Sequence, residues 1–214
     1  MKRIKGVVIC ICGMAGSGKS TLAKRIAKEY KLRYYSGGDA LKALARERGY
    51  NVNTKGWWES EEGIRFLKER TSSPEFDREV DSKLLEFAEE GNVVLDSWTM
   101  PWLLKKGFKV WLEASERVRA ERIAKRDGIS FTEALKFLRE KEKRTKEIYR
   151  KIYGFELGRD LKPFHLIIDS NLLDSNEVFQ TLKAVIDNYL PKWLQQNELK
   201  KITHNNYLIL VDLL

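Results

Sequence analysis

Gly13-Met14-Ala15-Gly16-Ser17-Gly18-Lys19-Ser20 constrains this chain more than any other stretch. The spacing G-x-x-x-x-G-K-S calls for a backbone that curls until several N–H groups face one anion. Such a loop needs a strand to enter it and a helix to leave it. Val7 to Cys12 is a continuous apolar run, as expected of a parallel strand buried on both faces. Beyond the loop, Leu22, Ile26 and Tyr30 recur at helical spacing, which predicts a helix over 18–30. The start of that helix adds about half a positive charge where the anion sits. In a loop of this kind Lys19 reaches the β- and γ-phosphates, and the Ser20 hydroxyl is a ligand for Mg²⁺. A glycine-rich turn that binds nothing is the weaker alternative.

A metal ion needs a second group. Asn92-Val93-Val94-Leu95 reads as another buried strand, with Asp96 at its C-terminal end. Ligands of open α/β sheets bind beyond the strand C-termini, so Asp96 is placed to hold Mg²⁺ directly or through water. The competing reading is an ordinary turn aspartate. Strands are predicted at 6–12, 33–35, 92–96, 108–113 and 164–169, and helices at 18–30, 39–48, 59–70, 75–90, 115–126, 130–153 and 175–190. Ser130 with Glu133, and Asp174 with Glu177, have capping-box spacing, and Asp127-Gly128 reads as a helix end. The alternation predicts an α/β fold: three layers, α/β/α, around a five-stranded parallel sheet. Long helical excursions separate strands two and three, and strands four and five. The core domain runs over 1–190, and 191–214 is an extension. Its apolar end, Tyr207 to Leu214, could cover the core, join a dimer or bind a partner, with self-packing favoured.

Composition excludes several classes. With 43% hydrophobic residues the chain can build a core, and no run approaches the roughly 18 apolar residues of a membrane span. Met1 to Cys12 imitates a secretory signal, but the apolar run is short and feeds the glycine loop. Cys10 and Cys12, two apart on a strand, read as small buried hydrophobes and not as a disulfide. Few thiols and many charges fit a cytoplasmic protein. Charge is uneven: residues 105–151 carry 16 basic and 8 acidic side chains, +8 of a total +9. A basic helical pair beside a phosphate site suggests a cover for anions, the alternative being a solvated helix face. Arg122 and Arg126, four apart, share one helix face, and Arg144, Lys146 and Arg150 follow. A nucleic-acid partner is the weaker reading, since no RRM, KH or zinc signature accompanies the charge.

Further motifs extend the picture: Ser36-Gly37-Gly38-Asp39, Pro74-Glu75-Phe76-Asp77-Arg78-Glu79-Val80-Asp81, Gly91 to Asp96, Glu121 to Ser130, and Tyr153-Gly154. Taken in order with the loop, they resemble the nucleoside monophosphate kinases, and most the archaeal cytidylate kinase family. The resemblance runs from about residue 6 to residue 190. It implies a P-loop NTPase fold with a helical acceptor-binding insert at about 37–80 and a lid at about 127–155. It implies transfer of the ATP γ-phosphate, with Mg²⁺, to a small-molecule nucleotide, CMP or dCMP first, by a monomer or homodimer. By position it implies that Gly13, Met14, Ala15, Gly16, Ser17, Gly18, Lys19, Ser20 and Thr21 hold ATP. Arg122 would lie over the adenine with Ser170 and Asn171 beside it, and Arg126 near the phosphates. Ser36, Gly37, Asp39 and Arg78 would line the acceptor site.

This chain departs from the family in its acceptor half. Lys42 stands where an arginine is usual, and Asp96-Ser97-Trp98 replaces Glu-Gly-Arg. Lys141, Glu147 and Ile148 interrupt the arginine-rich lid. A lysine holds phosphate as a point charge without the arginine fork. The departures motivate one alternative, another acceptor (a nucleoside, a small alcohol or an RNA end), and the apolar tail with the basic surface motivates a second, an ATP-binding assembly factor with little turnover. A hydroxyl acceptor would need a base, for which Asp39 and Asp96 are the candidates. Trp57, Trp58, Trp98 and Trp102 could stack on a planar acceptor or simply pack insert against core. Trp111 and Trp193 read as structural, and His165 as neither ligand nor base.

Overall fold

A computed structural model describes residues 6–53, 56–188 and Lys192. The strands are β1 Val8–Cys12, β2 Arg33–Ser36, β3 Val93–Asp96, β4 Phe108–Glu113 and β5 Leu166–Asp169. They form one parallel sheet in the order β2-β3-β1-β4-β5. The helices are α1 Lys19–Tyr30, α2 Gly37–Glu47, α3 Glu61–Ser72, α4 Glu75–Glu90, α5 Met100–Leu103, α6 Glu116–Asp127, α7 Phe131–Tyr153 and α8 Ser175–Asn188.

The apolar run of β1 is explained by its central place. Ile9 and Ile11 face a core built with Leu22 and Ile26 of α1 and Leu182 and Ile186 of α8. On the other face Cys10 packs among Leu41, Phe66, Val80 and Leu84 from the helices between β2 and β3. Cys12 meets Met14, Trp111, Ile148 and Tyr149 beneath α7. Both cysteines are buried free thiols, and burial raises both thiol pKa values. The expected three layers and parallel sheet are therefore present, with β1 and β3 delivering their C-terminal ends side by side, Ile11 opposite Asp96.

Local signals account for most helix ends. Ser130 and Glu133 form the reciprocal capping box at the start of α7. Asp174 and Glu177 do the same before α8. Gly128 closes α6 with φ of 75°, a conformation glycine adopts without strain. Two short elements were not expected: a 3-10 turn at Trp57–Glu59 and the single turn α5. Neither is long enough to show a helical period. The extension, with Trp193 and Tyr207 to Leu214, lies outside the described residues apart from Lys192.

Two ion pairs are buried between helices. Arg70 of α3 donates from Nε and Nη2 to the Asp77 carboxylate of α4, at 3.1 and 2.6 Å. Both side chains are 2% exposed. Arg119 of α6 pairs with Glu142 of α7 and also donates to the Ala15 and Ala114 carbonyls. Removing one partner of such a pair strands the other charge in a dry interior, at a cost of roughly 3–5 kcal/mol. Asp77→Ala is expected to lower the melting temperature by on the order of 10 °C in calorimetry. A drop of about 1 °C would show that Arg70 finds another anion or water.

Candidate active site

The loop of residues 13–18 leaves β1 and turns into α1. Its curvature requires glycine where chains come close. A Cβ on Gly13 would lie 2.5 Å from the Leu112 carbonyl oxygen, and one on Gly16, φ +78°, would lie 2.6 Å from that of Arg119. Gly18 is left-handed at the N-cap of α1. The Ser17 side chain is buried, and among the described residues its Oγ has no hydrogen-bond partner. A buried hydroxyl without a partner is costly unless a ligand supplies one, so the loop fits an anion.

Two cavities meet at this loop. The larger, about 430 Å³, is lined by Ser17, Gly18, Thr21, Arg122, Ser170 and the start of α8. The smaller, about 200 Å³, is lined by Ala15, Ser36, Gly37, Asp39, Arg70, Asp81, Asp96, Thr99 and Tyr149, with Trp58, Trp98 and Lys141. Gly16, Lys19, Ser20 and Arg126 line both. A group passed from one cavity to the other would cross at these four residues.

In the larger cavity Arg122 donates to the Ser17 carbonyl at 3.1 Å and to the Ser170 carbonyl at 2.6 Å. The expected residues Arg122 and Ser170 are thus brought together there. Asn171 is not part of the lining. Its side chain accepts from the Ser115 N–H and donates to Asp169, tying β5 to the start of α6. Gly13 and Met14 also lie outside the lining, Met14 being buried against Trp111. Arg126 is exposed and donates to the carboxylate of Asp127.

The smaller cavity differs from expectation in its charges. Arg78 does not line it; that residue sits exposed on α4. Asp77 and Asp81, one turn apart, occupy the inner face of α4, and Arg78 is rotated about 100° from it. The guanidinium in the lining is instead Arg70. Lys42 is also absent from the lining, and its Nζ lies 5.9 Å from the Trp57 ring. Trp98 does line the cavity. Its indole N–H donates to the Gly13 carbonyl at 2.6 Å, and Lys19 Nζ lies over its ring at 5.4 Å. Lys141 of α7 lies 4.8 Å from the Trp58 ring and 5.9 Å from that of Trp98. Trp57, Trp102 and Trp111 serve packing: Trp57 is buried against Phe66, Trp102 stacks on Phe155, and Trp111 donates to Glu113. His165 accepts from the Lys109 N–H through Nδ1, between β4 and β5.

Asp96 is buried at the tip of β3 and accepts from the Tyr34 hydroxyl at 3.1 Å. Among the described residues no three His, Cys, Asp or Glu side chains converge as a metal cage. Mg²⁺ asks for less: one or two carboxylates, a hydroxyl, waters and substrate phosphates. Asp96 and Ser20, lining the same cavity beside Lys19, fit that requirement. Asp81 was not foreseen. It is buried, and it accepts from Thr99 Oγ1 and Tyr153 Oη at 2.5 Å each. Burial pushes its pKa up to about 6 against the lowering pull of those hydroxyls.

Residues 8–172 match the model of the cytidylate kinase-like family. A cytidylate kinase of Pyrococcus horikoshii is 38% identical over 86% of this chain and 91% of its own length. One from Methanopyrus kandleri is 35% identical over 87% of this chain and 96% of its own. Among solved structures, a shikimate kinase of Bacteroides thetaiotaomicron superposes with a TM-score of 0.51 at 18% identity, covering 85% of this chain and 96% of its own. That likeness shows the fold alone. No described helix is long and apolar enough to cross a membrane.

The raised pKa of Asp81 has a thermodynamic consequence. Its folded value, about 6, lies above the ordinary 3.8. The folded state therefore holds the proton more tightly, and this contribution to stability is full below pH 3.8 and lost as pH rises through 6. At pH 7.5 the ionised carboxylate opposes folding. Asp81→Asn is expected to melt several degrees higher than wild type at pH 7.5, with the gap narrowing as pH falls through 6 toward 3.8. An equal or widening gap at pH 5 would show that burial does not set this titration.

Proposed function

Because the chain belongs to the cytidylate kinase-like family of phosphotransferases, we propose that it transfers the γ-phosphate of ATP, with Mg²⁺, to a nucleoside monophosphate, CMP or dCMP. One observation carries this reading: two cavities share a wall made of Gly16, Lys19, Ser20 and Arg126. ATP occupies the larger, its adenine near Arg122 and Ser170, and the acceptor occupies the smaller. The helices between β2 and β3 serve as the acceptor insert, and α7 as the lid.

The residues divide the work by chemistry. The loop N–H groups and Ser17 Oγ hold phosphate oxygens of the donor. Lys19 and Arg126, at the shared wall, balance charge as it moves between donor and acceptor. Asp96 and Ser20 would hold Mg²⁺, which supplies further neutralisation of the phosphates. An oxygen of the acceptor phosphate forms the new bond to the γ-phosphorus. The bond to the β,γ-bridging oxygen breaks, and its electron pair leaves with ADP. The nucleophile is already an anion, so no general base is required. Trp98, in the place of a family arginine, takes away one phosphate ligand. Its ring holds Lys19 by a cation–π contact, a geometry worth about 0.5–2 kcal/mol.

ADP formation against a panel of CMP, dCMP, UMP, nucleosides, small alcohols and RNA ends tests the reading. CMP or dCMP should stimulate most. Stimulation by a hydroxyl acceptor alone would move the chemistry to Asp39 or Asp96 as base, and stimulation by none would leave an ATP-binding assembly factor. Lys19→Ala should lower kcat by at least about 10²-fold with an unchanged melting temperature, the scale of losing one transition-state charge partner. Asp96→Asn should raise the Mg²⁺ concentration needed for half-maximal activity. A Mg²⁺ titration that falls by one factor throughout would exclude Asp96 from the metal.

A further inference from the structure

We infer that Asp81 reads the base of the acceptor, accepting a hydrogen bond from an exocyclic amino group and rejecting a carbonyl in that place. The inference rests on the nucleotide-acceptor reading above and deepens it. Phosphoryl transfer makes no use of Asp81, which lines the smaller cavity and not the larger. The seam between the cavities marks the phosphate end of the acceptor. Asp81, like Arg70, Thr99 and Tyr149, lines the smaller cavity without belonging to that seam. The part of a nucleotide that reaches there is the base.

The hydrogen bonding leaves room for one more donor. An ionised carboxylate offers about four acceptor sites. Thr99 takes one on Oδ1 and Tyr153 one on Oδ2, so each oxygen keeps a lone pair. Both partners are neutral hydroxyls, and the Arg70 guanidinium is engaged bidentately by Asp77. Among the described residues the carboxylate is thus a buried acceptor with two neutral hydroxyl donors and no direct ion pair. Cytosine presents an amino donor where uracil presents a carbonyl oxygen. Facing Asp81, the first gains a charge-assisted bond and the second sets lone pairs against lone pairs. A site built to bond a substrate N–H rejects the analogue that lacks it far more strongly than an apolar pocket rejects a change of size.

The competing role is structural. Asp81 joins α4, the turn after β3 and the end of α7 through the same two hydroxyls. The test separates the two. We would measure kcat/KM with CMP, UMP and the pyrimidin-2-one ribonucleoside monophosphate, which carries neither amino group nor carbonyl at that carbon. Wild type should prefer CMP over UMP by about 10²-fold or more and over the pyrimidinone by about tenfold or more. Asp81→Asn should shrink the CMP/UMP ratio by at least about tenfold, because an amide offers both a donor and an acceptor. Tyr153→Phe, which removes the tie to α7 and keeps the carboxylate, should leave the ratio within about twofold, a change too small to count as a lost bond. If Asp81→Asn lowers both substrates in step, or wild type treats CMP and the pyrimidinone alike, the inference is overturned while CMP kinase activity stands. The pyrimidinone arm needs no variant, so a failure of Asp81→Asn to fold does not remove the test. Turnover with no monophosphate at all would bring down the parent reading and this inference with it.

Discussion

A single buried guanidinium holds the phosphate loop against the helices around it. Arg119 donates to the carbonyls of Ala114 and Ala15, 3.0 Å each, and to Glu142 of α7. It therefore joins the tip of the loop, the start of α6 and the middle of α7. The main chain is interlocked at the same place, where Gly16 passes against the Arg119 backbone. Arg122 and Arg126 follow Arg119 at three and seven residues along α6, so all three share one helix face. Seating the first in the core aims the other two at the cavities. Glu142 meanwhile fixes the rotation of α7, whose next-to-last turn brings Ile148 and Tyr149 into the core beside Trp111.

The smaller cavity shows how charge is kept available without being scattered. Asp77 takes up Arg70, while Trp98 offers its ring face to Lys19 of the loop. An aromatic face attracts a cation without neutralising it, so Lys19 remains able to meet a phosphate. A carboxylate in the place of Trp98 would bind Lys19 more firmly and compete with the substrate.

The nucleotide-binding loop, β1 and β3 were legible because each carries its own pattern: glycine spacing, or an unbroken apolar run. Helices were legible wherever an apolar period lasted three turns or a capping box opened them, as at Ser130 and Asp174. The 3-10 turn at Trp57 and the single turn α5 lack a period, and tertiary packing of Trp57 and Met100 decides them. In the site, position within a motif misled for Arg78 because its helical phase was not read. The signal was available: Phe76, Val80 and Leu84 mark the buried stripe of α4, and Asp77 and Asp81 fall on it. Two carboxylates on an apolar face invite the question of what they bind. Arg70 carried a cue of the same kind, falling with Phe66 and Leu67 on the buried stripe of α3, but its partner lies on another helix.

The thiols of Cys10 and Cys12 lie in the middle strand, wholly shielded, with burial holding both in the unreactive protonated form. Both side chains stand off the same face of the sheet, so a reagent in solution reaches Cys10 when the helices between β2 and β3 lift from that face, and Cys12 when α7 does. The rates at which native protein takes up a thiol reagent at the two positions thus count the openings of two different covers. The fold carries two internal clocks, each written in an atom that serves the resting protein only as filling.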